Sequence, residues 1–433
     1  MSLTPTEAVE VADIHNPILN RFWSRPQADI EADLADIRSR PVTKFAEMPR
    51  DEEIVDPVTL SLLGPGAFAV TRHADILEMS RHPEIWSSAN GITVMDTPPE
   101  FNEFFGSMIS MDDPRHGRLR RLIAAGFTPR MLAMLEDSVT EQARQIIDNV
   151  CERGEVDFVV DVAAQLPLKI VCDLMGIPDS ELEFCFNQSN IILGIGDPEY
   201  APPDGTDPLT ALLTAGGALA NLMQEIAETK RGADTDDLTT LLVNAEIEGE
   251  KLSHADIASF FVLLVVAGNE TTRNAISWGL THLTANPDQR ELWRADFEGL
   301  SHSAVEEIVR LASPVTYMRR TATQDTEIAG QPVAAGEKAL MFYLAANRDE
   351  AIFEDPYRFD IRRDPNPHVG FGGPGPHFCL GAHLARREIK VMYRELFERL
   401  PDIEATSEPD VLASSFIHGV KHLKAEFTPT SPR

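Results

Sequence analysis

Most hydrophobic positions in this chain recur with a helical period. Apolar residues return at intervals of three and four between proline breaks. A shorter part of the chain alternates or runs apolar between glycines, which is typical of strands. The pattern predicts a mainly α fold with a minor β region. Predicted helices include residues 74–81, 141–151, 166–175, 209–230, 238–245 and 303–311, and predicted strands include residues 68–73, 315–321, 327–329 and 339–342.

The longest predicted helix begins after Ser253 and ends before Asn286. Ser253 and Asp256 have the spacing of a capping box, and about 32 helical residues would extend ~48 Å. Residues 257–267 are apolar on every side, which predicts a buried central helix. The polar residues 268–272 then leave two interpretations open. Either the helix emerges into solvent there, or the Thr271 hydroxyl bonds a carbonyl one turn back and opens the helix for a small ligand.

Residues 86–111 have no clean period but contain several apolar side chains, which predicts a loop that covers something apolar. A helix start follows at Asp113-Pro114, with His116 and Arg120 four residues apart on one face. A solvated polar stripe is the simpler interpretation of that pair. Residues 191–208 are rich in Gly and Pro and are predicted to form a mobile lid.

Glu307 and Arg310 lie three residues apart in a predicted helix. Judged alone, they would form a surface ion pair that contributes under ~1 kcal/mol.

The glycine-rich segment 370–381 has the most specific pattern in the chain. Four glycines and two prolines precede Cys379, and a helical pattern follows it. The sulfur is therefore predicted at a helix N-terminus, where free N–H groups stabilise a thiolate that can ligate iron. The alternatives are an inert buried cysteine and a phosphate-binding loop, but the second lacks the Lys-Ser/Thr that such a loop requires.

Composition narrows the function classes. The 433 residues include 38 Lys and Arg against 69 Asp and Glu, a formal charge of -31, which excludes nonspecific nucleic-acid binding and argues against anionic membranes. The cysteines are too irregularly spaced for a zinc site or redox dithiol, so a reducing compartment fits best. The longest apolar run is far short of the ~20 residues of a membrane span, and the N-terminus lacks a signal-peptide pattern. We expect a cytoplasmic protein without a membrane span.

No long linker, repeat or low-complexity tract divides the chain. We therefore expect one domain over residues 1–433, with residues 1–66 as an N-terminal extension and first helix of that domain.

Three motifs in this order resemble those of the cytochrome P450 monooxygenases, and the resemblance extends over about residues 68–423. The oxygen-activation motif is matched by residues 267–272, and the Glu-x-x-Arg motif by Glu307 and Arg310. In the haem-binding signature, Phe371 stands one residue further from the cysteine than in the commonest pattern. The residues that match that signature are Phe371, Gly375, His377, Cys379 and Gly381.

The resemblance implies a P450 fold in which the long central helix lies over haem b, iron protoporphyrin IX. It implies that Cys379 ligates the iron, that Thr271 and Glu270 deliver protons, and that Glu307 and Arg310 form a buried network joined by Arg358. Gly375 and Phe371 belong to the cofactor loop. The donors implied for the haem propionates are His116, Arg120, Arg320 and His377.

The implied substrate pocket is apolar, which favours a lipid-like or terpenoid substrate. Residues 269–274 and 416–419 are especially similar to mycobacterial-type members that hydroxylate the ends of methyl-branched lipids and sterol side chains. We therefore expect attack at a terminal carbon of such a substrate. The residues implied to line the pocket are Ile92, Val94, Phe105, Leu263, Ala267, Val315 and Phe416.

The family resemblance also implies electrons from a ferredoxin and a ferredoxin reductase, and we expect a monomer. A basic patch on the sulfur side of the haem could steer an acidic ferredoxin, although a solvated face with paired charges is the alternative. A haem-thiolate sensor or binding protein and a peroxide-dependent hydroxylase remain alternative functions, both disfavoured by the intact pair of Glu270 and Thr271. The patch comprises Arg118, Arg120, Arg121, Arg130, Arg386, Arg387, Lys390 and Arg394.

Overall fold

The structure is a computed structural model that describes residues 3–50, 57–126, 129–195, 197–200, 205–247 and 250–433. Helices dominate it. They are α1 Asn20–Trp23, α2 Gln27–Ser39, α3 Pro57–Ser61, α4 His73–Arg81, α5 Pro99–Gly106, α6 Arg115–Gly126, α7 Pro129–Val150, α8 Gln165–Met175, α9 Leu182–Leu193, α10 Pro208–Lys230, α11 Leu238–Asn244, α12 His254–Ala285, α13 Pro287–Ala295, α14 Phe297–Ala312, α15 Tyr343–Ala346 and α16 Ala382–Arg399.

The strands are short and form small sheets. They are β1 Thr43–Phe45, β2 Ala67–Val70, β3 Trp86–Ser87, β4 Glu155–Asp157, β5 Glu246–Ile247, β6 Glu250–Lys251, β7 Tyr317–Ala322, β8 Thr326–Ile328, β9 Gln331–Val333, β10 Lys338–Phe342, β11 Glu404–Ala405, β12 Asp410–Val411, β13 Val420–His422 and β14 Lys424–Glu426. The predicted mainly α fold with a minor β region is confirmed.

The largest sheet has the strand order β1-β2-β10-β7-β3, in which β2 and β10 run parallel and the other neighbours antiparallel. Within it, Arg320 of β7 lies opposite Ala339 of β10, and Arg319 lies opposite Leu340. Side chains alternate between the two faces of a strand, so these neighbouring arginines leave β7 in opposite directions.

Helix α12 forms the centre of the main hydrophobic core. It packs against α5, α8, α10, α14 and α16. The predicted capping box is present, because the Ser253 hydroxyl accepts from the Asp256 N–H and the Asp256 carboxylate accepts from the Ser253 N–H. The helix continues through Gly268 to Ala285, so the interpretation that it emerges into solvent after Ala267 is wrong. The helix remains inside the protein beyond its polar segment, because most residues from Asn269 to Leu283 are buried.

The prediction that residues 86–111 form a loop is partly wrong. It contains strand β3, helix α5 and a 3₁₀ turn at Ser107–Ser110. Helix α5 begins at Pro99, where the fixed φ of proline suits a first helical position. Only eight residues long, this helix is too short to present a convincing period in the sequence. Its phenylalanines do pack against the main core, as the predicted cover for an apolar space requires.

Candidate active site

The loop that carries Cys379 is held tightly in place. The Cys379 N–H donates to the Phe371 carbonyl at 3.0 Å, and α16 begins three residues later at Ala382. Gly375 has φ of 153°, and a Cβ there would lie 2.2 Å from the Ser80 carbonyl oxygen of α4. Gly375 therefore permits a close approach of two backbones that any larger residue would prevent.

The surroundings of the Cys379 thiol act on its pKa in both directions. Its surface is exposed, yet surrounding protein desolvates it, and this burial raises its pKa. Backbone N–H groups of Gly381 and Ala382 and the charges of Arg120 and Arg386 act in the opposite direction. Those N–H groups are the free donors of the α16 N-terminus, as the sequence predicted.

Two arginines and two histidines converge beside this loop from three parts of the chain. The rings of His116 and His377 lie 4.2 Å apart, and Arg120 donates to the Phe378 carbonyl at 2.6 Å. Burial lowers the pKa of His377 to about 2, with further lowering by Arg320 and His116. Burial also lowers the pKa of His116, assisted by Arg120. The interpretation of His116 and Arg120 as a solvated stripe is wrong, because His116 is only 2% exposed.

This cluster suits an anionic group. Arg320 is buried, and within the described ranges its one hydrogen bond goes to its own neighbour, the Arg319 carbonyl. The Nε2 atom of His116 is buried and has no partner among the described residues. Buried donors of this kind are ordinarily satisfied, so the site fits an anion with several acceptor oxygens, such as the two carboxylates of haem.

Helix α12 has a small open face between Ala267 and Thr271. Ala267 is exposed although Val265 and Asn269 beside it are buried, and Thr271 is half-buried. The Thr271 hydroxyl donates to the Ala267 carbonyl at 2.8 Å, which confirms the predicted bond. A hydroxyl that donates to a carbonyl four residues back competes with the helical ladder and weakens it at this turn.

Glu270 lies on another side of α12, inside the protein. It is 1% exposed and forms an ion pair with Arg273, which is 3% exposed. Arg273 also donates to the Asn190 Oδ1 atom of α9 at 3.0 Å. Burial raises the pKa of Glu270, and the charge of Arg273 opposes that rise. The sequence did not single out Arg273, although an arginine in an otherwise apolar helix was the available signal.

Glu307 and Arg310 form a bidentate ion pair with both bonds at 2.8 Å, and both side chains are fully buried. The surface interpretation is therefore wrong. The prediction of Arg358 as the third charged member is also wrong, because its side chain is exposed and only its carbonyl accepts from Arg310. The third charge is Arg363, whose Nε lies 3.2 Å from Glu307 Oε2. A turn in which the Arg363 N–H donates to the Asp360 carbonyl at 3.0 Å separates the exposed side chain of Arg358 from that of Arg363, which is 11% exposed.

The residues predicted to line a substrate pocket fall into two groups. Phe105 on α5 packs against the main core, and on α12 Leu263 is buried while Ala267 is open. The second group lies near β7. It consists of Val94 and Phe416, which pack on the cluster that includes Tyr317, Ile92, whose carbonyl accepts from Arg319, and Val315, which bridges to Ile417.

Three members of the basic patch are paired with carboxylates of the described residues. Arg386 binds Glu306 at 2.5 Å, and Lys390 and Arg394 both bind Glu298. These contacts agree with the alternative of a solvated face with paired charges. The side chain of Arg130 and part of the predicted lid, residues 196 and 201–204, lie outside the described residues.

Comparison with known proteins identifies the family of this chain. The cytochrome P450 family model matches residues 213–297 and 300–415. The solved structure of a Mycobacterium marinum cytochrome P450 in complex with pseudoionone has a TM-score of 0.89 and 41% identity, covering 97% of this chain and 100% of that chain. The chain belongs to the cytochrome P450 family, whose members carry haem iron and use redox partners.

Two relatives are similar over almost the whole chain. A methyl-branched lipid omega-hydroxylase of Mycobacterium tuberculosis is 47% identical over 427 residues, which cover 97% of this chain and 96% of that protein. A steroid C26-monooxygenase of Mycolicibacterium smegmatis is 37% identical over 397 residues, covering 90% of this chain and 91% of that protein. The chain is therefore an oxidoreductase of the hydroxylating type.

Helix α12 is long and apolar enough to cross a membrane by length and composition alone, with 61% of its most apolar window buried inside the protein. Central helices of folded cores pass the same test.

Proposed function

We propose that this protein is a haem-thiolate monooxygenase that hydroxylates the terminal carbon of a methyl-branched fatty acid, an isoprenoid or a sterol side chain. It holds haem b, receives electrons from a ferredoxin and ferredoxin reductase, and works in the cytoplasm. Residues 1–433 act as one domain, since strand β1 and Val9 of the N-terminal extension pair with the central sheet region.

The observation that carries this proposal is the pairing of Cys379 with a cluster of hydrogen-bond donors, two arginines and two histidines. The sulfur faces donors from the α16 N-terminus, and four donor side chains gather beside it. In this proposal Cys379 is the iron ligand, while His116, Arg120, Arg320 and His377 hold the propionates. Bound haem iron would supply the binding and activation of dioxygen.

The chain itself must deliver protons without admitting bulk water. The Thr271 hydroxyl, bonded to the Ala267 carbonyl, lies at the open face of α12, where it can orient a water molecule. Glu270 Oε1 is buried and has no hydrogen-bond partner among the described residues, so it can hold a proton for transfer. Because Glu270 and Arg273 are both buried, exchange of that proton with solvent requires ordered water or local opening.

The substrate assignment rests on the relatives and on the apolar side chains of the proposed pocket. Relatives with 47% and 37% identity act on methyl-branched lipids and steroids. The proposed lining residues contribute only apolar side chains, which suits such a substrate. Together they are Ile92, Val94, Phe105, Leu263, Ala267, Val315 and Phe416.

Ligation is tested by adding carbon monoxide to the reduced holoprotein. We expect the spectrum of a thiolate-ligated haem, and we expect Cys379→Ala to lose it while Cys151→Ala keeps it. An unchanged spectrum in Cys379→Ala would exclude this ligand.

Activity is tested by supplying a ferredoxin, its reductase and NAD(P)H with branched fatty acids, isoprenoids or sterols, and by identifying products with mass spectrometry. A terminal alcohol that requires the electron donors supports the proposal. Turnover that depends on added peroxide alone would favour a peroxide-dependent hydroxylase, and substrate binding without turnover would favour a sensor or binding protein.

A further inference from the structure

Asp96 connects two buried cations of the central sheet. Its Oδ1 atom lies 2.9 Å from Arg319 Nη1 of β7, and its Oδ2 atom lies 3.0 Å from Lys338 Nζ of β10. The side chains of Arg319 and Lys338 are each 4% exposed, whereas Asp96 is 43% exposed. The partly exposed carboxylate of Asp96 thus neutralises two cations that lie inside the protein.

The same two cations bind the backbone that leads to Asp96. Arg319 Nη1 donates to the Met95 carbonyl and Lys338 Nζ donates to the Val94 carbonyl, both at 3.0 Å. The Arg319 N–H donates to the Ile92 carbonyl at 2.8 Å. Residues 92–96 have no strand of their own, so these bonds substitute for the ladder of a sheet.

A second carboxylate holds Lys338 from the other side. Glu47 Oε1 lies 2.5 Å from Lys338 Nζ, and Glu47 Oε2 accepts from the Gly64 N–H at 2.7 Å. A Cβ on Gly64 would lie 2.6 Å from both Asp96 Oδ2 and Lys338 Nζ. A larger residue at position 64 would therefore require the ends of the Asp96 and Lys338 side chains to move.

The four charges balance, with Arg319 and Lys338 facing Asp96 and Glu47. Burial lowers the pKa of Arg319, and Asp96 and Glu47 oppose that change. Without Asp96, the buried Arg319 guanidinium would lose its paired carboxylate, whereas Lys338 would keep Glu47. An uncompensated buried charge strongly destabilises the native arrangement of the segment that it binds.

This charge cluster lies next to the proposed active site. The side chain of Arg319 leaves β7 on the face opposite to that of Arg320, so the connection to the site runs through residues 92–95. The Val94 N–H donates to the Tyr317 hydroxyl at 3.3 Å, and the Tyr317 ring lies 5.5 Å from that of Phe416. The position of residues 92–95 therefore decides how far Ile92 and Val94 reach towards the pocket.

We propose that Asp96 is a specificity-determining residue, because with Arg319 and Lys338 it clamps residues 92–96 onto the sheet and so sets the width of the substrate pocket. This inference rests on the proposed function, in which Ile92 and Val94 line that pocket. It adds a residue that touches no substrate but positions those that do.

The test compares holoenzymes of wild type, Asp96→Ala and Asp36→Ala. Asp36 is the matched control, since its 2.5 Å pair with Arg40 is exposed and remote in sequence from the clamp. Pseudoionone reports on the whole pocket through the haem spin shift, and imidazole reports on the iron alone. We expect Asp96→Ala to raise the pseudoionone dissociation constant about tenfold, equivalent to about 1.4 kcal/mol, and to leave imidazole affinity unchanged.

Hydrogen–deuterium exchange of the backbone at residues 92–96 is the second measurement. We expect faster exchange in Asp96→Ala and wild-type exchange in Asp36→Ala. Unchanged exchange overturns the clamp, and an equal loss of imidazole affinity overturns a role in specificity. If wild type fails to bind pseudoionone, the isoprenoid part of the proposed substrate class is in error, and exchange at residues 92–96 still decides whether the clamp exists.

Discussion

The Glu270 carboxylate is paired with the Arg273 guanidinium one turn further along α12, with both side chains buried. Arg273 reaches in addition to Asn190 on α9, so the acid of the central helix is connected to a neighbouring helix. Burial alone would favour the neutral form of Glu270, and the charge of Arg273 opposes it. Arg273 therefore helps to set the protonation state of the residue proposed to transfer protons.

We predict that Arg273→Met moves the proton-transfer step to higher pH. Without the guanidinium charge, the pKa of Glu270 rises further, so its carboxylate forms only at higher pH. The measurement is the pH dependence of product formed per NAD(P)H consumed, in which the acidic limb should shift upward. Arg294→Met, which removes an exposed pair with Glu291 of the same spacing, should leave the profile unchanged. An unshifted limb in Arg273→Met would contradict this role.

Thr271→Ala should separate electron consumption from hydroxylation. The variant loses the hydroxyl that bonds the Ala267 carbonyl and orients water, but it changes no proposed haem contact. We expect normal haem content and substrate affinity, with most electrons diverted to peroxide, measured as peroxide and product per NAD(P)H. Ser277→Ala is the matched control, because Ser277 makes the same bond to the Arg273 carbonyl four residues back. Equal coupling in both variants would exclude the proposed function of Thr271.

The membership of the Glu307 network, in which Arg363 and not Arg358 supplies the third charge, leads to a prediction. Arg310→Ala leaves Glu307 as a fully buried charge that has lost both bonds of its bidentate pair, so we expect a loss of about 3–5 kcal/mol in the free energy of unfolding and poor haem incorporation. Arg358→Ala should change that free energy by less than ~0.5 kcal/mol, since only its carbonyl takes part. Chemical denaturation and haem content measure both effects. A large loss in Arg358→Ala would restore it as a charged member of the network.

Glu388 of α16 makes stability depend on pH. Burial raises its pKa to about 8, opposed by a hydrogen bond with Thr272, whereas the ordinary value is 4.5. Between these values the folded chain binds a proton that the unfolded chain has released, so the contribution of Glu388 to stability falls as pH rises.

Glu388→Gln keeps a neutral side chain of the same shape and should remove this dependence. Relative to wild type, its free energy of unfolding should increase between about pH 4.5 and pH 8, by at most about 4 kcal/mol. Urea denaturation of both proteins at pH 5 and pH 8 measures the difference. Parallel changes in the two proteins would show that Glu388 is ionised in the folded state.

Several features were predictable because they depend on spacing along the chain. Helix α12 begins at a capping box and ends before Pro287, and the bond from Thr271 to Ala267 joins residues four apart in one helix. The position of Cys379 at a helix N-terminus is predictable because a glycine-rich turn precedes it and a helical pattern follows it. Local hydrogen bonding and backbone sterics decide such features, so the sequence alone contains them.

The tertiary structure alone decided which side chains, distant in sequence, form ion pairs with buried charges. Arg363 rather than Arg358 reaches Glu307. The backbone turn between the two residues leaves the Arg363 side chain beside Glu307 and the Arg358 side chain in solvent. The Asp96 clamp joins residues from β7, β10 and an irregular segment that are far apart in sequence. A buried charge is stable only beside its partner, and that partner is chosen by the path of the backbone, which periodicity does not specify. The sequence determined the family, the cysteine loop and the central helix, and the folded chain determined the charge pairs around them.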